Sequence, residues 1–280
     1  MKIFKRIIST LLVLLGIAYI VLMVVWVISY IHHQSEVSIL SGQNENENIL
    51  LNNQNNNFSS PNVETLSMPI FMHHHIRIYN NPKDKIGDYL SIPPDKFKAE
   101  LDLIEKLGYE TVTFQDIVEH HLPPKPIMLT FDDGYEDFYQ FAFPELQKRN
   151  MKAVIYLITS KLNTSDYMTT DQVKEMLPYH IEVGAHTVTH PNLTRLPERE
   201  LTQEIEESKS FLEQLTGKPV ISFCYPGGNY NPHVRSAVEK AGFLFATTTR
   251  RGDAYFEHPF DLARDRINFD TIIEGYFQGR

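Results

Sequence analysis

Along most of this chain, short apolar runs alternate with amphipathic helical patterns, and no other feature restricts the fold so much. Strands are read at 69–72, 110–114, 126–131, 153–158, 181–185, 220–225, 243–247 and 266–269, between turn formers. Pro93-Pro94 opens a helix with Phe97, Leu101 and Ile104 on one face. Pro197 opens another along Leu201, Ile205, Ser208, Leu212 and Leu215, closed by Gly217, and Asn231-Pro232 starts a third that Gly242 ends. Strand then helix, repeated this often, implies parallel strands joined by crossovers. The expected architecture is α/β: an irregular (β/α) barrel of about seven to eight parallel strands, with a doubly wound open sheet as the alternative.

The polar residues fall at telling places. His74, Asp132, Asp133, His186, Tyr225-Pro226-Gly227 and Arg264 or Arg266 all lie at or near a proposed strand end. In a barrel the carboxyl ends of different strands converge on one mouth, so residues distant in sequence become neighbours there. The adjacent carboxylates Asp132 and Asp133 repel each other in a dry pocket unless a cation or donors offset the charge, which points to a metal; a plain Asp-Gly turn is the simpler alternative. His186-Thr187-Val188-Thr189-His190 supplies two imidazoles four apart, the spacing at which one helical turn presents both to a single ion. Without a partner, two such histidines are ordinary surface or core residues. The segment lacks the glutamate of the zinc-protease H-E-x-x-H pattern, so a general base must come from elsewhere, and the Asp pair is available. One carboxylate with two imidazoles leaves positions for water and substrate, the composition of a catalytic site.

The front of the chain is different. Lys2, Lys5 and Arg6 precede residues 7–31, an uncharged run long enough at ~1.5 Å per residue to cross a ~30 Å hydrocarbon core. The expectation is an uncleaved transmembrane helix within 1–32, its basic end in the cytoplasm and the rest of the chain outside. Residues 33–67 turn to Asn, Gln, Glu and Ser, with nine asparagines between 44 and 62, and read as a disordered linker before one domain at 68–280. The anchor takes three of the 26 Lys and Arg and none of the 35 Asp and Glu, leaving 23 against 35 and a formal charge of −12 on the exported part. Nucleic acid and anionic membranes are poor partners for such a surface, and a neutral or cationic partner suits it better. Cys224 is the sole cysteine, so no intramolecular disulfide forms, and at the end of an apolar strand it reads as a small packing residue.

Taken together, Thr130-Phe131-Asp132-Asp133-Gly134-Tyr135, His186-Thr187-Val188-Thr189-His190 and Phe223-Cys224-Tyr225-Pro226-Gly227-Gly228 resemble the first three motifs of the polysaccharide deacetylases, the NodB-homology family of carbohydrate esterases. The likeness runs in the family's order from about Pro69 to Ile267. It implies a NodB-like barrel in which Asp132 is the general base, Asp133, His186 and His190 bind a divalent metal, and the Gly227 backbone N–H helps hold the oxyanion. Two family features are missing: the arginine that begins the third motif, where Cys224 or its neighbours stand, and a carboxyl-terminal histidine motif after Asp253. Both absences resemble the circularly permuted branch, which includes biofilm poly-N-acetylglucosamine deacetylases. There the acid histidine comes from a Pro-x-x-Met-Tyr-His-x-Ile segment, which is similar to Pro69-Ile70-Phe71-Met72-His73-His74-His75-Ile76. His74 aligns with the acid, and His73 replaces the tyrosine. Leu262-Ala263-Arg264-Asp265-Arg266-Ile267 resembles a Leu-Pro-Arg-x-Arg-Ile pattern of the same branch, which makes Arg264 a candidate to orient the base, with a structural ion pair as the alternative.

The resemblance implies metal-dependent removal of N-acetyl groups from an extracytoplasmic amino-sugar polymer, a cell-wall or biofilm glycan, with His74 acting as an imidazolium acid. Zinc is the first expectation for the metal; cobalt, nickel and manganese also suit an Asp-His-His set. The expected partners are the N-acetylated glycan and, through the amino-terminal helix, the membrane; nucleic acid is excluded. The alternatives are an O-acetyl glycan esterase and a catalytically silent glycan-binding module.

Overall fold

The computed structural model describes residues 66–81 and 83–277, so the expected anchor and nearly all of the expected linker lie outside the described residues. Among the described residues no helix is long and apolar enough to cross a membrane. The sheet uses β1 (Ile70–His73), β2 (Glu110–Thr111), β3 (Pro126–Phe131), β4 (Ala153–Leu157), β5 (Ile181–Ala185), β6 (Ser222–Cys224), β7 (Phe245–Thr247) and β8 (Asp265–Arg266). Seven parallel strands follow the order β7-β6-β5-β4-β3-β1-β8, and β2 pairs with the first residues of β3. The segment entering β8 also bonds to β7: the Leu262 N–H donates to the Ala246 carbonyl at 3.0 Å, and the Leu262 carbonyl accepts from the Thr248 N–H at 2.9 Å. One short stretch thus draws the two edges towards each other. The result is a curled half-barrel, not a doubly wound open sheet.

Strand periodicity sorts the apolar residues onto two faces. Phe71, Leu129, Phe131, Ile155, Leu157, Val183 and Phe223 point outwards to a core shared with the helices. Ile70, Met128, Val154, Tyr156, Cys224, Phe245 and Leu262 form a second, inner cluster, closed at one end by Phe114 and Ile117. At Gly184 an added Cβ would sit 2.4 Å from the Tyr156 ring, so the missing side chain is what lets that ring lie across the inner face.

The three expected helices appear as α1 (Pro94–Lys106), α2 (Glu198–Thr216) and α3 (Pro232–Lys240). Gly217 ends α2 in the left-handed region, and the Asn231 side chain accepts the Val234 N–H at 2.9 Å to start α3. Several strand ends move by a residue or two, as at Ile70–His73, Ala153–Leu157, Ser222–Cys224 and Phe245–Thr247, and two shifts have a local cause. The strand at 110–114 stops at Thr111, because Thr113 and Asp116 form a capping box that starts a helix at Phe114. The last strand is Asp265–Arg266 and not 266–269, since Asn268 turns the chain with Thr271. Before β1, Ser67–Met68 pairs antiparallel with Ala254–Tyr255, and the Leu66 carbonyl accepts the Phe256 N–H.

Candidate active site

The alternation that fills the inner cluster continues past the carboxyl ends of the strands. Asp132 is in phase with Met128 on β3, His186 with Gly184 on β5, His74 with Ile70 on β1, and Arg264 with Leu262 before β8. Cys224 already faces inwards at the end of β6. Five segments therefore deliver five polar side chains to one mouth.

Asp132, only 3% exposed, is gripped by Arg264, which is fully buried. Nη1 lies 2.7 Å from Oδ1 and Nη2 lies 2.8 Å from Oδ2, a two-pronged contact. The rest of the guanidinium is satisfied by the Thr248 carbonyl, the Thr130 hydroxyl and Cys224 Sγ at 2.9, 2.9 and 3.1 Å. Burial alone would push the Asp132 carboxyl up; the charge and hydrogen bonds of Arg264, with help from His74 and His186, outweigh it and hold the group well below the usual carboxylate range. Cys224, read from the sequence as packing, touches both members of the pair, with Sγ 3.6 Å from Asp132 Oδ2.

Asp133 faces elsewhere. Its φ of +75° is strained for a residue with a side chain, and Gly134 follows at +84°; a Cβ at Gly134 would come 2.8 Å from Leu157 Cδ2. This double left-handed turn sets the Asp133 carboxylate apart from that of Asp132. Asp133 Oδ1 lies 3.4 Å from His186 Nε2 and 3.7 Å from His190 Nε2. Burial raises the Asp133 carboxyl, but the hydrogen bond and charge of His186 more than reverse this and bring it down to about 2.

The two imidazoles do not share a helical turn as their spacing suggested. Residues 186–190 form a loop, with Thr187 and His190 both at φ +64°. Glu204 of α2 holds it: Oε2 accepts the Val188 and Thr189 N–H groups at 2.8 Å each, and Oε1 accepts the Thr189 hydroxyl at 2.6 Å. The His190 N–H also donates to Thr187 Oγ1 at 2.9 Å. A loop replaces the helix because two left-handed residues break helical geometry, while the clamp keeps both rings on one point.

Among the described residues, two groups of side chains have the spacing to hold a cation, Asp133-His186-His190 and Asp132-His186-Cys224, each with its donor atoms within 4.8 Å of one another. The second is a poor host, because Arg264 already occupies both Asp132 oxygens and would repel an ion beside Cys224. The first fits. His186 Nδ1 donates to the Cys224 carbonyl at 2.7 Å, which leaves Nε2 as the nitrogen turned towards Asp133 and His190. Burial lowers this imidazole, but its bonds to Asp133 and to Cys224 and the Asp133 charge raise it well above its ordinary value, so an ion would displace the Nε2 proton on binding. His190, with 38% of its side chain exposed, opens the set to the mouth.

The three consecutive histidines part company. His73 turns outwards, where Nε2 meets buried Glu100 of α1 at 3.0 Å and the ring stacks on Phe131. His75 bonds to Asp137 at 2.6 Å and stacks on Tyr135. His74 turns inwards: Nε2 lies 3.9 Å from Asp132 Oδ2, and Nδ1 is buried with no hydrogen-bond partner among the described residues. Burial pushes the His74 imidazole down to about 4, against the pull of Asp132 and Asp133. Gly227 sits at φ +60° in the turn after β6, at the same end of the sheet.

Sequence reasoning missed Glu100, Asp137 and Glu204. Two left a trace: Glu100 lies three residues after Phe97 on a buried helix face, and Glu204 directly precedes the buried Ile205.

Residues 119–246 match the family model for polysaccharide deacetylases. The chain belongs to the polysaccharide deacetylase family. Within it, the chain is 32% identical over 192 residues to YxkH of Bacillus subtilis, whose own assignment to the family is provisional; the match covers 67% of this chain and 66% of that one. It is 32% identical over 93 residues to the poly-β-1,6-N-acetyl-D-glucosamine N-deacetylase of Escherichia coli K12, covering 31% of this chain and 14% of that enzyme. The matches therefore span no more than two thirds of either relative's length. Among solved structures, the Streptococcus pyogenes deacetylase PplD in complex with acetate shares the fold at a TM-score of 0.71 and 29% identity, over 76% of this chain and 98% of that one. In this member of the family the arginine against Asp132 comes from the segment entering β8.

Proposed function

We propose that the domain is a metal-dependent hydrolase that removes N-acetyl groups from an amino-sugar polymer outside the cytoplasm and releases acetate. The observation that carries this reading is the separation of two adjacent carboxylates: Asp133 joins two imidazoles, while Asp132 is held by an arginine. The names of the relatives support an acetylated glycan as substrate. The uncharged run at 7–31 and the basic residues before it support a membrane tether with the domain outside.

Asp133, His186 and His190 would hold a divalent ion, zinc being the first choice. Such an ion supplies positive charge that polarises a carbonyl and acidifies water. Asp132 takes the proton from the attacking water; Arg264 aims it and keeps it ionised, although it also lowers its basicity. The Gly227 N–H donates to the developing oxyanion, where loss of one donor costs about 2.7 to 4 kcal/mol. The amide nitrogen departs only once protonated. Since burial holds His74 neutral at pH 7, the resting imidazolium expected from the family likeness gives way to a relay: the proton taken by Asp132 crosses to His74 and then to the amine.

The test is acetate release by the purified chain from N-acetylated and O-acetylated glycans, with chelator and after zinc is restored. Release from N-acetyl substrates that stops with chelator and returns with zinc supports the reading. Release from O-acetyl substrates alone makes the protein an esterase, and binding without release makes it a silent glycan-binding module.

A further inference from the structure

Next to the site, a cleft of about 610 Å³ opens among Tyr89, Thr249, Arg251, Arg266, Asn268 and Tyr276. Two of its lining residues lead back to the candidate site. Thr249 lies against the backbone of Gly228, where an added Cβ would come 2.1 Å from its hydroxyl, one residue from Gly227. Arg266 is paired in register with Met72, two residues before His74, and its charge reaches that imidazole. The cleft therefore lies beside the mouth, on the side of β7 and β8.

Its charge is opposite to that of the domain. The exported part carries a formal −12, yet the charged residues lining this cleft are two arginines and one rim carboxylate, Asp270. Asp265 stands behind Arg251, its Oδ1 accepting the Gly252 N–H at 3.2 Å. Arg251 Nη2 donates to the Tyr276 hydroxyl at 3.1 Å, and the Arg266 guanidinium lies 5.9 Å from the centre of the half-exposed Tyr89 ring. Tyrosines thus brace both forks beside open space. Net charge governs long-range approach, which salt screens within ~8 to 10 Å, whereas a docked group meets the local lining.

We propose that this cleft is an anion subsite. It holds a carboxylate or phosphate on a sugar adjoining the N-acetylated one, so the preferred polymer is an acidic glycan and not a neutral one. Guanidinium forks match either anion in two-pronged fashion, and the tyrosine rings offer faces for the sugar that carries it. The proposal rests on the deacetylase reading for the identity of the neighbouring sugar.

Binding is measured calorimetrically with the full chain at low and high salt, using a neutral N-acetylglucosamine trimer and two trimers whose terminal sugar carries a carboxylate or a phosphate. A charged trimer is expected to bind about tenfold more tightly than the neutral one. That advantage should shrink with salt and disappear in Arg251→Gln and Arg266→Gln. The advantage is a ratio within each protein, so loss of folded material does not mimic it, and Arg251→Lys should keep part of it. The charged probe that binds better identifies the source of the anion. Equal affinities in the wild type, or an advantage that survives both glutamine variants, overturns the proposal. Acetate measured in the same samples judges the hydrolytic reading separately: charge-dependent binding without acetate would end that reading and leave the subsite standing.

Discussion

Two carboxylates face the inner surface of the sheet, one towards each end, and they reach opposite states. Asp132, at the carboxyl end, is chelated by Arg264 and stays ionised far below the usual range. Glu182, at the amino end of β5, accepts the Gln115 N–H at 2.8 Å and lies 3.4 Å from the Ser222 hydroxyl, and burial pushes it up to about 7. Amide and hydroxyl donors partly offset desolvation at Glu182; a guanidinium overcomes it at Asp132. The same inner face thus keeps the carboxylate at one end charged and leaves the one at the other end close to neutral.

The sharpest way to break this contrast is to remove each charge in turn. Asp132→Asn should lower acetate release by about 10² to 10⁴-fold while bound metal, read by elemental analysis, is retained. Glu182→Gln should leave turnover within about twofold, and an equal loss in both variants would erase the distinction between the ends. Arg264→Met comes next. It strands a buried carboxylate and should cost about 3 to 5 kcal/mol in denaturant unfolding at pH 7, most of it recovered when Asp132→Asn is added. A cost below about 1 kcal/mol would mean that the pair is not what holds Asp132 in place. Glu204→Gln tests the loop beside it: metal affinity should fall by about 10 to 100-fold, because the clamp on Val188 and Thr189 weakens.

The smallest effect concerns pH. Glu182 binds its proton more tightly folded than unfolded, so its contribution is complete below the unfolded value of 4.5 and is lost as pH rises from 4.5 through about 7. Glu182→Gln should therefore gain relative stability over that window, on the order of 2 kcal/mol by pH 8, in parallel thermal or denaturant titrations. His74 works the other way. Its lowered value makes the folded protein lose stability as pH falls from 6.5 through about 4, which His74→Phe should remove. A Glu182→Gln curve parallel to the wild type would show that burial at the amino end costs the carboxylate little.

Much of the site was legible because strand periodicity is a local code. Once β1, β3 and β5 are placed, alternation from Ile70, Met128 and Gly184 points to His74, Asp132 and His186. The same rule sends His73 outwards to Glu100, which settles which of three histidines enters the mouth. The i to i+4 spacing suggests a helical turn at 186–190 but carries no information on φ; Thr187 and His190 take positive φ in a loop that Glu204 clamps from α2, a contact 15 or 16 residues away in sequence. Cys224 packs in the inner cluster as its sequence position implies; its added contacts to Asp132 and Arg264 are not legible locally, because those residues come from 92 and 40 positions away.

By itself, the sequence determined the order of strands and helices, the helix ends at Pro197, Gly217 and Asn231, and the residues able to hold a metal. Those follow from period, caps and side-chain chemistry, which act over a few residues. The tertiary structure decided that the sheet curls, that Arg264 grips Asp132 and leaves Asp133 to the histidines, and that Arg251 and Arg266 share a cleft beside them. These depend on which strands become neighbours and how their edges approach, and in this fold the stretch from Leu262 to Arg266 makes both contacts at once.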